Sequence, residues 1–90
     1  MEKRHQDLIM NRLEDANLNG CSHFTWEELY RWYDVRKIAA KTYRDLEDRW
    51  IEISQNKAGC LMMIQGRGGI FVYGEKMAEK VDPNNLMHNI

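Results

Sequence analysis

The sequence predicts a small α+β domain that is mainly α-helical and carries one antiparallel β-hairpin. Three segments before residue 54 place apolar residues at the three- and four-residue spacing of amphipathic helices. Two short apolar runs follow, separated by the glycine-rich tetrapeptide G-R-G-G, which is typical of two strands joined by a tight loop. Ninety residues fit one domain, which we expect over residues 1–82, with residues 83–90 as a C-terminal tail.

The first predicted helix covers residues 3–17. Its apolar side chains, which recur at helical spacing among charged residues, are Leu8, Ile9, Leu13 and Ala16. The polar stretch that follows ends in Gly20, a residue type that commonly terminates helices. We expect one face of this helix to pack into the core and the other to face solvent or a partner subunit.

The second predicted helix begins at the capping signal T-W-E-E. In a capping box the Thr25 hydroxyl accepts a hydrogen bond from the Glu28 amide, while the Glu28 carboxylate accepts one from the Thr25 amide. Phe24 and Leu29 occupy the two positions of a hydrophobic staple around this signal. The start of the helix is therefore well defined by the sequence.

We expect the aromatic residues of the second helix to divide between core and surface. The helix runs to about residue 33, and its broad apolar face consists of Trp26, Leu29, Tyr30 and Tyr33. Trp32 points away from that face, so the pattern predicts an exposed indole there, suited to an interface.

The third predicted helix covers residues 36–50. The positions predicted to face the core advance by three or four residues and are Val35, Ala39, Thr42, Leu46 and Trp50. This spacing continues without a break, so we expect one uninterrupted amphipathic helix.

This third segment also has an unusual charge pattern. Residues 35–44 hold four positive charges and no negative one, although the net charge of the chain is −1. Lys37, Lys41 and Arg44 recur at helical spacing opposite the apolar face, which predicts a single outward stripe of positive charge. The stripe ends at Asp45, where the polar residues become acidic.

The last predicted elements are two strands and a short closing helix. The apolar runs at residues 60–65 and 70–73 flank the loop 66–69, and because this loop leads into a second apolar run, a hairpin is favoured over a phosphate-binding loop. We expect Gly59 to be the left-handed cap that ends the third helix. Residues 75–81 are predicted to form the closing helix.

Three segments together resemble the winged helix-turn-helix domain of bacterial and phage regulators. They are F-T-W-E-E-L at 24–29, K-T-Y-R-D-L-E-D-R-W-I-E-I at 41–53, and the glycine-tipped hairpin at 60–73. The first two resemble the paired helices of the family, and the third lies where the family has its wing. The resemblance covers about residues 5–80. It implies a winged helix-turn-helix fold and sequence-specific binding of double-stranded DNA, as in small regulators of phages and other mobile elements.

The resemblance also implies which residues contact DNA. A recognition helix presents its N-terminal half to the major groove, so helix 36–50 takes that role and hairpin 60–73 acts as a wing on the flanking backbone or minor groove. The small side chain of Ala40 would allow close approach. The implied contact residues are Arg36, Lys37, Ala40, Lys41, Arg44 and Arg67.

The expected partners follow from this function. One reading helix makes few base contacts, so we expect a homodimer on double-stranded DNA, in the cytoplasm and without a cofactor. The first residues are charged rather than apolar, and no apolar run is long enough for a membrane span. Two alternatives stay open. The basic stripe could be a solvated helix face, or the domain could be a protein–protein interaction module or inhibitor of a host protein, without DNA binding.

No arrangement of residues predicts an enzyme or a metal site. Cys21 and His23 form one C-x-H pair, but a zinc site of the usual kind needs a second closely spaced pair. We therefore expect Cys21 and Cys60 to be reduced, partly buried thiols. His5, His23 and His88 are far apart in the sequence and accompany no nucleophile arrangement.

Overall fold

The structure, a computed structural model, describes residues 1–79, 81, 83 and 84. Within them lie three α-helices and three β-strands. In chain order they are α1 (Lys3–Asn19), β1 (Cys21–Thr25), α2 (Trp26–Tyr33), α3 (Ala40–Ser54), β2 (Leu61–Gln65) and β3 (Gly69–Gly74). The α+β class predicted from the sequence is confirmed.

The three strands form one antiparallel sheet in which β3 is central and β1 and β2 flank it. Phe24 of β1 lies opposite Ile70, and Ile64 of β2 lies opposite Phe71. Because side chains alternate along a strand, Phe24, Ile70 and Val72 point toward the helices and are buried, whereas Ile64 and Phe71 lie on the outer face and are exposed. One face of the sheet is therefore core and the other is surface.

Strand β1 was not predicted from the sequence. In its five residues only Phe24 is fully buried, so the alternation of apolar and polar residues is too weak to indicate a strand. Its backbone partners are on β3, near the other end of the chain. Strand formation here depends on that distant pairing rather than on local sequence.

The core receives buried side chains from every helix and strand described. These are Ile9, Leu13, Ala16, Phe24, Leu29, Trp32, Leu46, Trp50, Ala58, Leu61, Ile70 and Val72. The predicted inward faces of α1 and α3 are confirmed at Ile9, Leu13, Ala16, Thr42, Leu46 and Trp50. Leu8 was expected on the core face but is 39% exposed.

The capping box at the start of α2 is confirmed. The Glu28 amide donates to Thr25 Oγ1 at 3.1 Å, and the Thr25 amide donates to Glu28 Oε1 at 2.9 Å. Phe24 and Leu29, the predicted staple positions, are both fully buried. Local sequence thus specifies where α2 begins.

The predicted buried face of α2 was wrong at two positions, because Trp32 belongs to that face and Tyr30 does not. Trp32 is only 6% exposed and its ring lies edge-on to Phe24, whereas Tyr30 is 41% exposed. Leu29 and Trp32 are three residues apart and define the buried face, while Trp26 and Tyr33 lie at its edges. A short helix with five apolar or aromatic residues offers several such faces, and packing decides between them.

Helix α3 begins at Ala40, four residues later than predicted. Asp34 adopts a left-handed conformation (φ 52°) that ends α2, and the amide of Val35 donates to the carbonyl of Tyr30 at 3.1 Å. Residues 34–39 therefore form an irregular connection. Ala39, predicted to face the core, is the exposed N-cap residue of α3, and Val35 is only partly buried.

The hairpin formed by β2 and β3 is confirmed, with Arg67 and Gly68 in its tip. Gly69 pairs with Thr25, and the backbone of β1 comes close to it there. Its φ of 152° disfavours other residues, and a Cβ on it would collide with the carbonyl oxygen of Phe24. This glycine is required by its contact with β1.

Two predictions about the C-terminal part of the chain were wrong. The left-handed residue that ends α3 is Gln55 (φ 54°), four residues before Gly59. Residues 75–77 form a turn, and residues 78, 79 and 81 are not helical, so the closing helix is absent from the part described. Of the predicted tail 83–90, all but residues 83 and 84 lies outside the described residues.

The described residues contain neither a helix suited to a membrane nor a cluster suited to a metal ion. No helix there is both long and apolar enough to cross a membrane. Nor do three or more His, Cys, Asp or Glu side chains of that part cluster in a way that could hold a metal ion. Cys21 and Cys60 are free thiols, and both are exposed rather than partly buried.

Replacing Gly69 by Ala is expected to lower the free energy of unfolding by about 2–4 kcal/mol, because the added methyl group meets backbone and the residue keeps a positive φ. Gly68→Ala is the matched control, since a Cβ there meets nothing within 4 Å. Urea unfolding followed by circular dichroism measures both. Equal stabilities of the two variants would contradict the close approach of β1 and β3.

Candidate nucleic-acid interface

The six residues implied by the resemblance lie on three different segments of the fold. Arg36 and Lys37 are in the connection 34–39; Ala40, Lys41 and Arg44 are in the first two turns of α3; Arg67 is in the hairpin tip. All six are exposed. We call these residues together the basic surface.

The predicted helical stripe of positive charge is only partly helical. Lys41 and Arg44, three residues apart within α3, lie on the side opposite the buried Thr42, Leu46 and Trp50. Lys37 precedes the helix, so its position is set by the connection and not by helical periodicity. The outward stripe of α3 itself therefore consists of two cations.

Lys37 and Arg67 line one groove although they are distant in the sequence. The groove has a volume of about 540 Å³ and lies between α2, the connection, α3 and the hairpin tip. We call it the aromatic groove, because Trp26, Tyr30 and Tyr43 also line it. Lys41 instead borders a separate depression of about 240 Å³ with Tyr33 and Asp45.

Two hydrogen bonds hold the hairpin tip against the start of α2. The Trp26 indole Nε1 donates to the carbonyl oxygen of Arg67 at 3.0 Å, and the Trp26 amide donates to the carbonyl of Gly68 at 3.3 Å. Within the tip, the Gly66 amide donates to the carbonyl of Gly69 at 2.8 Å. The backbone of Arg67 is thus fixed while its side chain is exposed. Sequence reasoning assigned Trp26 to the core and missed this contact.

The cations of the basic surface are not neutralised within the described part of the chain. None of Arg36, Lys37, Lys41, Arg44 and Arg67 takes part in an ion pair there. The acidic residues of α2 and of the first turns of α3 have other partners, which are Arg31 for Glu27, Arg12 for Glu28 and Arg49 for Asp45. The local field of this surface is therefore positive despite the net charge of −1.

Asp45 was expected to mark the acidic end of the outward basic stripe, but its carboxylate has partners within the fold. Its Oδ2 accepts hydrogen bonds from the Tyr33 hydroxyl and from Arg49 Nε, both at 2.7 Å, so the carboxylate faces the end of α2. Burial, followed by the bond to Asp45, raises the pKa of Tyr33 well above its usual range. The first acids on the outward side of α3 are Glu47 and Asp48, which are exposed.

An ion pair that the sequence analysis missed supports the whole site. Arg12 Nη1 donates to Glu28 Oε1 at 2.9 Å and Arg12 Nη2 donates to Glu28 Oε2 at 2.7 Å, and Nη1 also donates to the carbonyl of His23. The hydrogen bond from Arg12, followed by that from the Thr25 amide among the favourable contacts, lowers the pKa of Glu28 to about 2 against the opposing effect of burial. Arg12 shares a stretch of α1 with the core residues Ile9, Leu13 and Ala16. Its helical spacing from these residues could have indicated a cation that faces inward.

Comparisons with protein-family models, with curated proteins and with solved structures find no match to this chain. The site must therefore be interpreted from its own geometry. That geometry combines exposed cations on a helix start, a connection and a hairpin tip with a groove lined by aromatic side chains.

The Arg12–Glu28 pair is expected to make stability depend on pH. The pKa of Glu28 is about 2 in the folded chain, against an ordinary value of 4.5, so its contribution is complete above about pH 4.5 and is lost as the pH falls toward 2. Glu28→Gln should lower the free energy of unfolding by about 1–3 kcal/mol at pH 7, since it removes a charge-assisted pair, and by much less at pH 2.

Urea unfolding of Glu28→Gln and of the unaltered chain at several pH values measures the difference between their free energies of unfolding. Glu27→Gln is the matched control, because Glu27 pairs with Arg31 on the exposed surface and its removal should cost less than about 0.5 kcal/mol. A difference between Glu28→Gln and the unaltered chain that stays constant from pH 7 to pH 2 would contradict the depressed pKa.

Proposed function

We propose that this chain is a sequence-specific double-stranded DNA-binding regulator that folds as a winged helix-turn-helix. In this proposal α2 and α3 form the helix pair, residues 34–39 form its turn, and the β2–β3 hairpin is the wing. Support comes from the element order and from the sheet order β1-β3-β2, which bring the hairpin tip to the start of α2.

The observation that carries the proposal is the basic surface. Five exposed cations without ion-pair partners in the described chain come from three segments of the fold. Phosphate contacts by Lys and Arg supply most of the affinity of proteins for DNA, and only such a local patch can attract DNA to a chain of net charge −1. Residues 35–44 contain no acid that would oppose it.

The first half of α3 is the part suited to the major groove. Arg44 has a planar guanidinium that matches the O6 and N7 atoms of guanine, and Lys41 suits guanine or phosphate. The small side chain of Ala40 lets the helix backbone come close. Glu47 and Asp48 follow on the outward side and would be repelled by phosphate, so the second half of α3 leaves the groove.

The start of α3 and its surroundings supply backbone contacts. Ala39, the N-cap residue, offers no side-chain acceptor to the first amides of α3, and the first turn holds no acid. Phosphate oxygens can accept hydrogen bonds from the amides at a helix start that no side chain caps. Arg36, Lys37 and Arg67 flank this helix end and would contact phosphates, which positions the helix without reading sequence.

Regulation in this proposal requires two copies. The first half of one helix reads only a few base pairs, so a homodimer on paired half-sites in the cytoplasm is part of the proposal. Such a dimer would repress by blocking polymerase or activate by contacting it. Selection of binding sites from a random duplex library tests this directly, because an enriched motif with two spaced half-sites is the expected result.

A protein-interaction module is the second candidate, and the outer face of the sheet favours it. Ile64 and Phe71 are adjacent there and 54% and 50% exposed, with Met62 38% exposed beside them. Contiguous exposed apolar side chains of this kind often mark contact sites for proteins. An empty duplex selection would favour this candidate over DNA binding.

Replacing Lys41 and Arg44 together by Ala is expected to weaken duplex binding at least tenfold. The slope of log affinity against log salt concentration should also fall, by up to about 2, because each cation that neutralises a phosphate contributes about 0.9 to it. Adding Lys37→Ala should remove measurable binding. Fluorescence anisotropy of a labelled duplex across a salt series measures both quantities.

The matched control removes two cations from the other end of the molecule. Lys57 and Lys76 are exposed and lie beyond the C-terminal end of α3, so Lys57→Ala/Lys76→Ala changes the net charge equally. This double variant should change affinity less than about threefold, through the long-range field alone. Equal losses in the two double variants would reject the basic surface as the DNA contact.

A further inference from the structure

The aromatic groove is lined by aromatic side chains that the binding of duplex DNA does not require. Duplex contacts of the usual kind use cations and polar groups on phosphate and base edges. Here Lys37 and Arg67 share a groove of about 540 Å³ with Trp26, Tyr30 and Tyr43. Among the residues that the structure describes, no acidic one lines the groove.

The side chain of Tyr30 is not used in the core. Its side chain is 41% exposed at the middle of α2, while the core is filled from the same helix by Leu29 and Trp32. Trp26 and Tyr43 are only partly buried and pack at the edge of the core. Aromatic surface is therefore presented to the groove.

The groove walls are fixed to one another. The indole of Trp26 is held by its hydrogen bond to the carbonyl of Arg67, which ties the α2 wall to the hairpin wall. The backbone contact between β1 and Gly69 restrains the hairpin from the other side. A groove with restrained walls loses little conformational entropy when a ligand enters.

The lining chemistry matches a nucleotide whose base is not stacked in a duplex. Aromatic side chains stack on free bases with little dependence on base identity. Cations at the rim suit the attached phosphates, and the amide of Gln65, which also lines the groove, can both donate to and accept from a base edge. The groove volume of about 540 Å³ is within the range of small-molecule sites.

We propose that the aromatic groove binds one unpaired nucleotide of DNA beside the duplex held by α3. This inference rests on the proposed function and specifies it further: the preferred partner is a duplex that carries an unpaired nucleotide, such as a duplex end with a single-stranded extension. Tyr30 and Trp26 contact the base, and Lys37 and Arg67 contact its phosphates.

The test compares three DNA probes by fluorescence anisotropy at one salt concentration. They are a blunt duplex, the same duplex with a short single-stranded extension, and the extension alone. The full chain should bind the extended duplex about tenfold more tightly than the blunt one, which is the size of one base–aromatic stack. Tyr30→Ala should remove most of this gain and leave blunt-duplex affinity within about twofold.

Phe71→Ala is the matched control, since it also truncates a half-exposed aromatic side chain, on the outer face of the sheet. It should keep the full gain. Intrinsic fluorescence gives a second readout, because Trp32 and Trp50 are buried and Trp26 alone lines the groove. The extended duplex should quench this emission more than the blunt duplex, and free thymidine monophosphate at the same concentration should not.

The outcomes separate the inference from the function on which it rests. Blunt and extended duplexes that bind equally, or a gain that survives Tyr30→Ala, would overturn the inference and leave duplex recognition standing. Quenching by free thymidine monophosphate as strong as that by extended DNA would assign the groove to a mononucleotide and overturn it as well. Failure to bind any of the three DNA probes would reject the proposed function itself.

Discussion

The bidentate ion pair between Arg12 and Glu28 is the contact on which the arrangement of the site depends. Glu28 is at once the acid of the capping box that starts α2 and the partner that ties α2 to α1. Arg12 also donates to the carbonyl of His23 in β1 and lies over the rings of Phe24 and Trp32, 5.5 and 5.2 Å from their centres. Three elements therefore meet at one guanidinium group, and removing either partner would leave a partly buried charge without compensation.

This pairing also explains how a chain with slightly more acids than bases can present a positive surface. Glu28 and Asp45 are used inside the fold, by Arg12 and by Arg49 with Tyr33. The cations near the start of α3 have no such internal role in the described residues. Folding thus pairs these acids with other cations, and the five cations of the basic surface stay without an acidic partner in the described residues, where a polyanion can approach them.

The sequence predicted well what is local and poorly what depends on distant contacts. The capping box, the hairpin and the buried positions of α1 and α3 follow from periodicity and turn chemistry within a few residues. Strand β1 exists because β3 pairs with it, and the burial of Trp32 exists because Phe24 and Arg12 meet it. Strand β3 and Arg12 are distant in the sequence, and the contact of Phe24 with Trp32 joins two different elements, so no periodicity within one element could have predicted them.

The same distinction applies to the candidate site. Residue types at 36–44 indicated a basic surface, but α3 begins only at Ala40, so Lys37 lies in the irregular connection that starts at the left-handed Asp34. A left-handed residue other than glycine is hard to anticipate from the sequence. The groove between Lys37 and Arg67 requires the tertiary contact of Trp26 with the hairpin tip. The sequence indicated the cations but not that Lys37 and Arg67 line one groove while Lys41 borders another.

The glycine at 69 has a consequence for how this domain can change over evolutionary time. Because the backbone of β1 occupies the space of a side chain there, the base of the hairpin cannot slide along β1 or be widened. At the tip, a Cβ on Gly68 would meet open space, so a side chain can be added there. Substitutions at residues 67 and 68 can therefore change which side chains the tip presents without disturbing the core, whereas insertions would break the hydrogen bonds between the tip and Trp26. The base of the hairpin at Gly69 must therefore be preserved, whereas the side chains of its tip can vary and so change what the domain contacts.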